Sequence, residues 1–85
     1  MKTRNISVIG ATGSVGRSVL NVCSLFPDLF RVRALAAEKN VEGLFELGRK
    51  FKSDLLVLTD RESSERLRRM AQPEFTCLGG EEALL

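Results

Sequence analysis

Near the N-terminus, Gly10-Ala-Thr-Gly-Ser-Val-Gly16 places three glycines at Gly-x-x-Gly-x-x-Gly spacing and adds two hydroxyls. The segment follows an apolar run, Asn5-Ile-Ser-Val-Ile9, and opens a stretch with helical apolar spacing. A glycine turn between strand and helix is the context in which backbone grips a phosphate. Gly10 permits the sharp turn out of the strand. Gly13 leaves the backbone open to a phosphate with no Cβ in the way, and Gly16 lets the helix pack closely on the strand. The N–H groups of the first helical turn then face an anion, with the positive end of the helix dipole behind them. The hydroxyls of Thr12 and Ser14 add donors. A turn that only capped its helix would not need strand, turn and helix in this register, so phosphate or dinucleotide binding is the expectation. No lysine follows the last glycine, which separates the motif from nucleotide-hydrolysing loops.

A second group of polar residues stands at the end of the next strand-like run, Ala36-Ala-Glu-Lys-Asn40. In a Rossmann unit this point lies beside the adenosine ribose. Glu38 can accept hydrogen bonds from a ribose 2′-hydroxyl, favouring NAD, whereas Lys39 can neutralise a 2′-phosphate, favouring NADP. Asn40 can donate to that phosphate or cap the following helix. The residue types leave the choice between the two cofactors open.

Other chemistry is sparse. The 85 residues contain no histidine, and Cys23 and Cys77 are the two cysteines. Histidine-type metal sites and Ser-His or Cys-His nucleophile systems are therefore excluded within this stretch, and both thiols read as core. Asp60 and Glu62 suit a helix cap and have no second carboxylate for acid–base work. Thirteen basic residues against eleven acidic give a net charge of +2, and tyrosine and tryptophan are absent. Arg66, Arg68 and Arg69 are offset by Glu62 and Glu65 at helical spacing, a solvated mixed-charge face. Neither a nucleic-acid stripe nor a membrane-binding face is expected. The first apolar run breaks at Gly10 and Gly13, too short for a signal-peptide core or a span. A cytoplasmic setting is the expectation.

The elements that must position these residues alternate along the chain. A strand over Asn5–Ile9 precedes a helix from Ser14 to Phe26, whose predicted inner face is Val15, Val19, Val22, Cys23 and Phe26. Pro27-Asp28 ends it. A buried strand follows over Phe30–Ala37. Asn40 caps a second helix with Val41, Leu44, Phe45, Gly48 and Phe51 inward. After a strand over Asp54–Leu58, Thr59-Asp-Arg-Glu62 has capping-box spacing, and Leu67, Met70 and Ala71 form the stripe of a third helix. Pro73 closes it, Phe75–Leu78 is a fourth strand, and Glu81–Leu85 reads as the opening turn of a further helix. The predicted class is α/β: a partial Rossmann-like parallel sheet (βαβαβαβ) with right-handed crossovers and helices on both faces. Such a length is short for an enzyme that holds a cofactor and a substrate, so the chain is expected to be part of a larger one. Its open sheet edge is expected to associate or to lower stability.

The run Ile6-Ser-Val-Ile-Gly-Ala-Thr-Gly-Ser-Val-Gly16 resembles the opening of the 1-deoxy-D-xylulose 5-phosphate reductoisomerases. The likeness continues through Asn21-Val22, Pro27-Asp-Leu-Phe-Arg-Val32, Ala34-Leu-Ala-Ala37 and Lys39-Asn-Val41, and more weakly through Leu78-Gly-Gly-Glu-Glu82. Semialdehyde dehydrogenases share a Gly-Ala-Thr-Gly-x-Val-Gly opening without a counterpart to the Lys39-Asn-Val41 segment. The resemblance implies that residues 1–85 are the N-terminal part of an NADP-binding Rossmann-like domain, with the catalytic and C-terminal domains outside this chain. Matching the family's Thr-Gly-Ser-Ile, it implies NADPH contacts from Thr12, Gly13, Ser14 and Val15. Matching the family's Gly-Lys-Asn, it implies contacts from Lys39 and Asn40. Glu38 departs from that pattern, standing where the family has glycine. A carboxylate beside a 2′-phosphate weakens NADPH, unless Glu38 turns outward to a basic neighbour.

For the whole enzyme the resemblance implies NADPH-dependent isomerisation and reduction of 1-deoxy-D-xylulose 5-phosphate to 2-C-methyl-D-erythritol 4-phosphate, in the non-mevalonate isoprenoid pathway. It further implies a homodimer and a Mg²⁺ or Mn²⁺ ion. The family's metal-binding carboxylates and its site for the phosphorylated sugar come later than residue 85, so this stretch alone is expected to be inactive. The alternative is a free-standing, non-catalytic nucleotide-binding module.

Overall fold

The computed structural model describes residues 3–71 and 76–79. Its elements run β1 (Arg4–Ile9), α1 (Ser14–Leu25), β2 (Phe30–Ala37), α2 (Val41–Phe51), β3 (Leu55–Leu58), α3 (Arg61–Ala71) and β4 (Thr76–Gly79). The strands form one parallel sheet in the order β1-β2-β3-β4. This is the expected α/β, Rossmann-like alternation. The predicted helical turn at Glu81–Leu85 and the predicted strand start at Phe75 lie outside the described residues.

Each strand neighbours its successor, and right-handed crossovers that all step one way across a sheet place their helices on one face. The core agrees. Val8 of β1, Val32, Leu35 and Ala37 of β2, Leu56 and Leu58 of β3 and Cys77 of β4 join Leu20, Leu44 and Leu67 in one buried cluster. A bulge keeps β2 in phase. Ile6 pairs with Val32 and Ser7 with Ala34, so Arg33 is the extra residue, and Val32 and Leu35 share a face despite the odd step between them. Arg33 accepts from the Asp54 N–H at 2.9 Å and its guanidinium pairs with the Asp54 carboxylate at 2.5 Å. The opposite face carries Ser7, Ile9, Ala34, Ala36, Leu55 and Val57 around a shallow hollow of about 170 Å³, lined by no residue of α1–α3. Among the described residues the helices therefore cover one face of the sheet, not both as expected, because successive crossovers step in one direction.

Helix α1 departs from the predicted face. Of Val15, Val19, Val22, Cys23 and Phe26, only Cys23 is buried; Val15 is 78% exposed and Phe26 49%. The inward residues are Gly16, Leu20 and Cys23. Backbone approach decides this. A Cβ on Gly16 would lie 2.1 Å from the Gly10 carbonyl oxygen and 2.8 Å from the Ala11 Cα, so α1 rests its glycine on the turn itself. The valine stripe, one residue earlier at each turn, is rotated about 100° away.

Helix α2 follows its prediction. Val41, Leu44 and Gly48 are buried, and Phe45 and Phe51 pack against the core from its margin. Asn40 Oδ1 accepts from the Gly43 N–H at 3.0 Å, Glu42 occupies the first turn, and Arg49 and Lys50 occupy the last. Lys52, at φ 52°, ends the helix in the left-handed region, with the Ser53 N–H returning to the Gly48 carbonyl at 3.0 Å.

Helix α3 is capped one residue later than its predicted box. The Thr59 N–H still extends the sheet ladder to the Ala37 carbonyl at 3.1 Å. The Asp60 N–H extends it again to the Glu38 carbonyl at 3.0 Å, so the helix opens only after Asp60. The Asp60 carboxylate caps it, accepting from the Ser63 N–H at 3.1 Å and the Ser63 hydroxyl at 2.7 Å. Leu67 is buried as predicted, but Met70 is 44% exposed. Ser64 and Leu67 set the inward face, and Met70, a further three residues on, has turned about 60° toward solvent. Cys23 and Cys77 are buried thiols, as expected.

Candidate functional site

The glycine turn forms a ledge of backbone donors at the carboxyl end of β1. Gly10 has φ +70°, the left-handed region that glycine enters without strain. The Ala11 N–H bonds the Ala36 carbonyl at 2.9 Å, and the Gly13 N–H closes the turn on the Gly10 carbonyl at 3.0 Å. Gly13 is the extended N-cap of α1 and brings no capping side chain, and the first helical turn holds no acid. The first helical bond runs from the Arg17 N–H to the Gly13 carbonyl at 2.9 Å. The N–H groups of Ser14, Val15 and Gly16 therefore precede the ladder and point out of the helix end, where an anion is favoured.

The three glycines do different work. Gly10 serves a positive φ and Gly16 a backbone contact, but a Cβ on Gly13 would meet only the Gly10 oxygen, at an ordinary 3.4 Å. The fold does not require glycine at 13. Thr12 is half-buried, while Ser14 and Val15 are exposed. Sequence reasoning missed Arg17, whose Nε donates to the Thr12 carbonyl at 3.1 Å and lays a cation along the turn. Its signal was a basic residue directly after the last glycine.

The second predicted group stands on the neighbouring strand. Ile9 pairs with Ala36, and Ala37 with Leu58, so the loops after β1, β2 and β3 emerge side by side at one end of the sheet. Glu38, Lys39 and Asn40 are all exposed there. Asn40 commits its Oδ1 to the α2 cap. Neither Arg33–Asp54 nor Glu42–Arg66, the ion pairs described above and on α2–α3, involves Glu38. The third loop adds a residue that sequence reasoning treated only as a cap. The Asp60 N–H bonds the Glu38 carbonyl at 3.0 Å. The Ser63 hydroxyl, then the Ser63 N–H, hold the Asp60 carboxyl below the usual carboxylate range; burial opposes them, and the Lys39 charge adds the smallest contribution in their favour.

Two half-open hollows lie elsewhere. One of about 310 Å³ sits between α1 and α2, lined by Arg17, Leu20, Gly43 and Lys50. Another of about 670 Å³ lies at the opposite end of the sheet, around Pro27, Phe30 and Lys52. The glycine ledge is an open surface. Among the described residues no group of three or more His, Cys, Asp or Glu gathers as a metal site, and no helix is long and apolar enough to cross a membrane. Burial pushes the Cys23 and Cys77 thiols up from their ordinary value, which suits inert core sulfur.

Residues 6–85 match the family model for 1-deoxy-D-xylulose 5-phosphate reductoisomerase. The chain belongs to that family. Among its relatives, the reductoisomerase of Moorella thermoacetica is 42% identical over 83 residues, covering 96% of this chain and 22% of the relative. That of Vesicomyosocius okutanii is 35% identical over 81 residues, covering 95% and 21%. The chain thus spans about a fifth of the length of the curated relatives it matches. A solved structure of the Zymomonas mobilis reductoisomerase in complex with NADPH superposes with a TM-score of 0.89 at 30% identity, over 98% of this chain and 22% of that one. A second reductoisomerase structure, in complex with NADPH, fosmidomycin and magnesium, gives a TM-score of 0.88 at 25% identity, over 95% and 20%. The family resemblance carried by the glycine turn and the Phe30–Val41 segment is confirmed.

Proposed function

We propose that this chain is the NADPH-binding portion of a 1-deoxy-D-xylulose 5-phosphate reductoisomerase, the N-terminal part of an NADP-binding Rossmann-like domain. The observation that carries the reading is the likeness over 98% of the chain to a family structure in complex with NADPH. The residues fit the cofactor. Open N–H groups at Ser14, Val15 and Gly16, a side-chain-free cap at Gly13, a first turn without acid and the Arg17 guanidinium all favour a pyrophosphate. Gly10, Thr12, Gly13, Ser14, Val15 and Gly16 are assigned to that phosphate end. Glu38, Lys39 and Asn40 are assigned to the adenosine ribose and its 2′-phosphate. When bound, NADPH supplies a hydride.

In the whole enzyme this serves conversion of 1-deoxy-D-xylulose 5-phosphate to 2-C-methyl-D-erythritol 4-phosphate in isoprenoid biosynthesis. The Mg²⁺ or Mn²⁺ ion and the phosphorylated sugar are assigned to residues outside this chain, which alone is inactive. A homodimer in the cytoplasm completes the proposal. The free-standing nucleotide-binding module is the weaker reading, because the family match runs through residue 85. Calorimetric titration with NADPH, NADH and ADP-ribose tests the assignment: heat with NADPH is expected, and silence with every dinucleotide from a folded chain overturns it.

A further inference from the structure

We propose that Asp60 is a specificity-determining residue of this cofactor site: its backbone holds the Glu38–Asn40 loop, and its carboxylate sets how far Lys39 is available to a 2′-phosphate. The inference rests on the dinucleotide reading above and deepens it.

The placement comes from the parallel register running past the strand ends. Beyond the Leu58–Ala37 pair, the Thr59 N–H bonds the Ala37 carbonyl at 3.1 Å and the Asp60 N–H bonds the Glu38 carbonyl at 3.0 Å. Chains bonded in this way run about 4.8 Å apart. The Asp60 backbone therefore stands beside the loop that faces the adenosine ribose. Its side chain is fixed as well, because one carboxylate oxygen accepts both the Ser63 N–H and the Ser63 hydroxyl. The charge is pinned at the start of α3 instead of swinging into solvent.

Lys39 favours the charged form of Asp60. Carried on a backbone bonded directly to Glu38, the Asp60 charge offsets part of the Lys39 field before any ligand arrives. Asn40 has committed its oxygen to the α2 cap, which leaves Lys39 as the cation of this loop, between Glu38 on its own strand end and Asp60 on the next. A 2′-phosphate carries charge and a 2′-hydroxyl does not. The Asp60 charge consequently bears on NADPH and leaves NADH nearly untouched.

Asp60→Asn in the full chain removes the charge and keeps an acceptor for Ser63, since asparagine and aspartate cap helices about equally well. Calorimetric titration with NADPH and with NADH, alongside a thermal melt, reads the effect. The NADPH-to-NADH affinity ratio is expected to rise about three- to tenfold, the range for one unit charge near a surface, and the gain to shrink with added salt. Asp60→Ser, a second uncharged cap, is expected to give the same gain and covers the case in which the first variant folds poorly. An unchanged ratio in folded variants that still bind, or an equal loss for both dinucleotides, overturns the inference and leaves the dinucleotide reading standing. Failure of the folded parent chain to bind either dinucleotide overturns both.

Discussion

Helices α1 and α2 both present apolar residues at helical spacing, yet only α2 buries the predicted face. In α2 the inward positions Val41, Leu44 and Gly48 coincide with the apolar stripe, and a cap at each end sets its limits. In α1 a second apolar stripe of Val15, Val19, Val22 and Phe26 points outward while Gly16, Leu20 and Cys23 face the sheet. Where backbone must approach backbone, the residue without a side chain chooses the face, and hydrophobic spacing is overruled. A helix that packs its glycine on a tight turn is oriented by that turn; a helix that only covers the sheet is oriented by its apolar residues.

The sharpest way to break this contrast is Gly16→Ala. Its Cβ would meet backbone atoms that have nowhere to yield, so a loss of about 3 kcal/mol or more is expected in denaturant unfolding. Leu44→Ala on α2 should cost about 3 kcal/mol by the ordinary route of a cavity in a fully buried site. Gly13→Ala separates fold from function within the same turn. Its Cβ finds only ordinary contact, so the melt should hold while NADPH affinity falls about tenfold in a fluorescence or calorimetric titration. Asn40→Ala should lower stability by about 1 kcal/mol through the lost α2 cap. At the small end, Val22→Ser on the outward stripe should change stability by no more than about 0.5 kcal/mol. A loss near that of Leu44→Ala would mean that α1 is packed on its valines after all.

Much of the fold was legible because its determinants are local. The Phe30–Ala37 strand is bounded by Pro27-Asp28 and by the polar turn after Ala37, and its limits match the structure. The Asn40 cap needs only Gly43, three residues on. The glycine turn was legible for the same reason: Gly10 and Gly16 answer to contacts within one turn of chain. The Thr59 box is off by one residue because the ladder to a strand about twenty residues earlier runs on through the Thr59 and Asp60 N–H groups, so the helix opens only after Asp60 and is capped by its carboxylate. Met70 failed for a related reason, since the inward face of α3 follows Ser64 and Leu67.

By itself, the sequence determined the alternation of elements, the glycine turn and the α2 cap, since these depend on residues within a few positions of one another. Only the tertiary structure decided which face of α1 is buried, that α1–α3 share one side of the sheet, and that Asp60 stands beside Glu38 and Lys39. The last two depend on parallel register between segments some twenty residues apart, and the first on how closely Gly16 lies against Gly10 and Ala11; apolar spacing along the chain records neither.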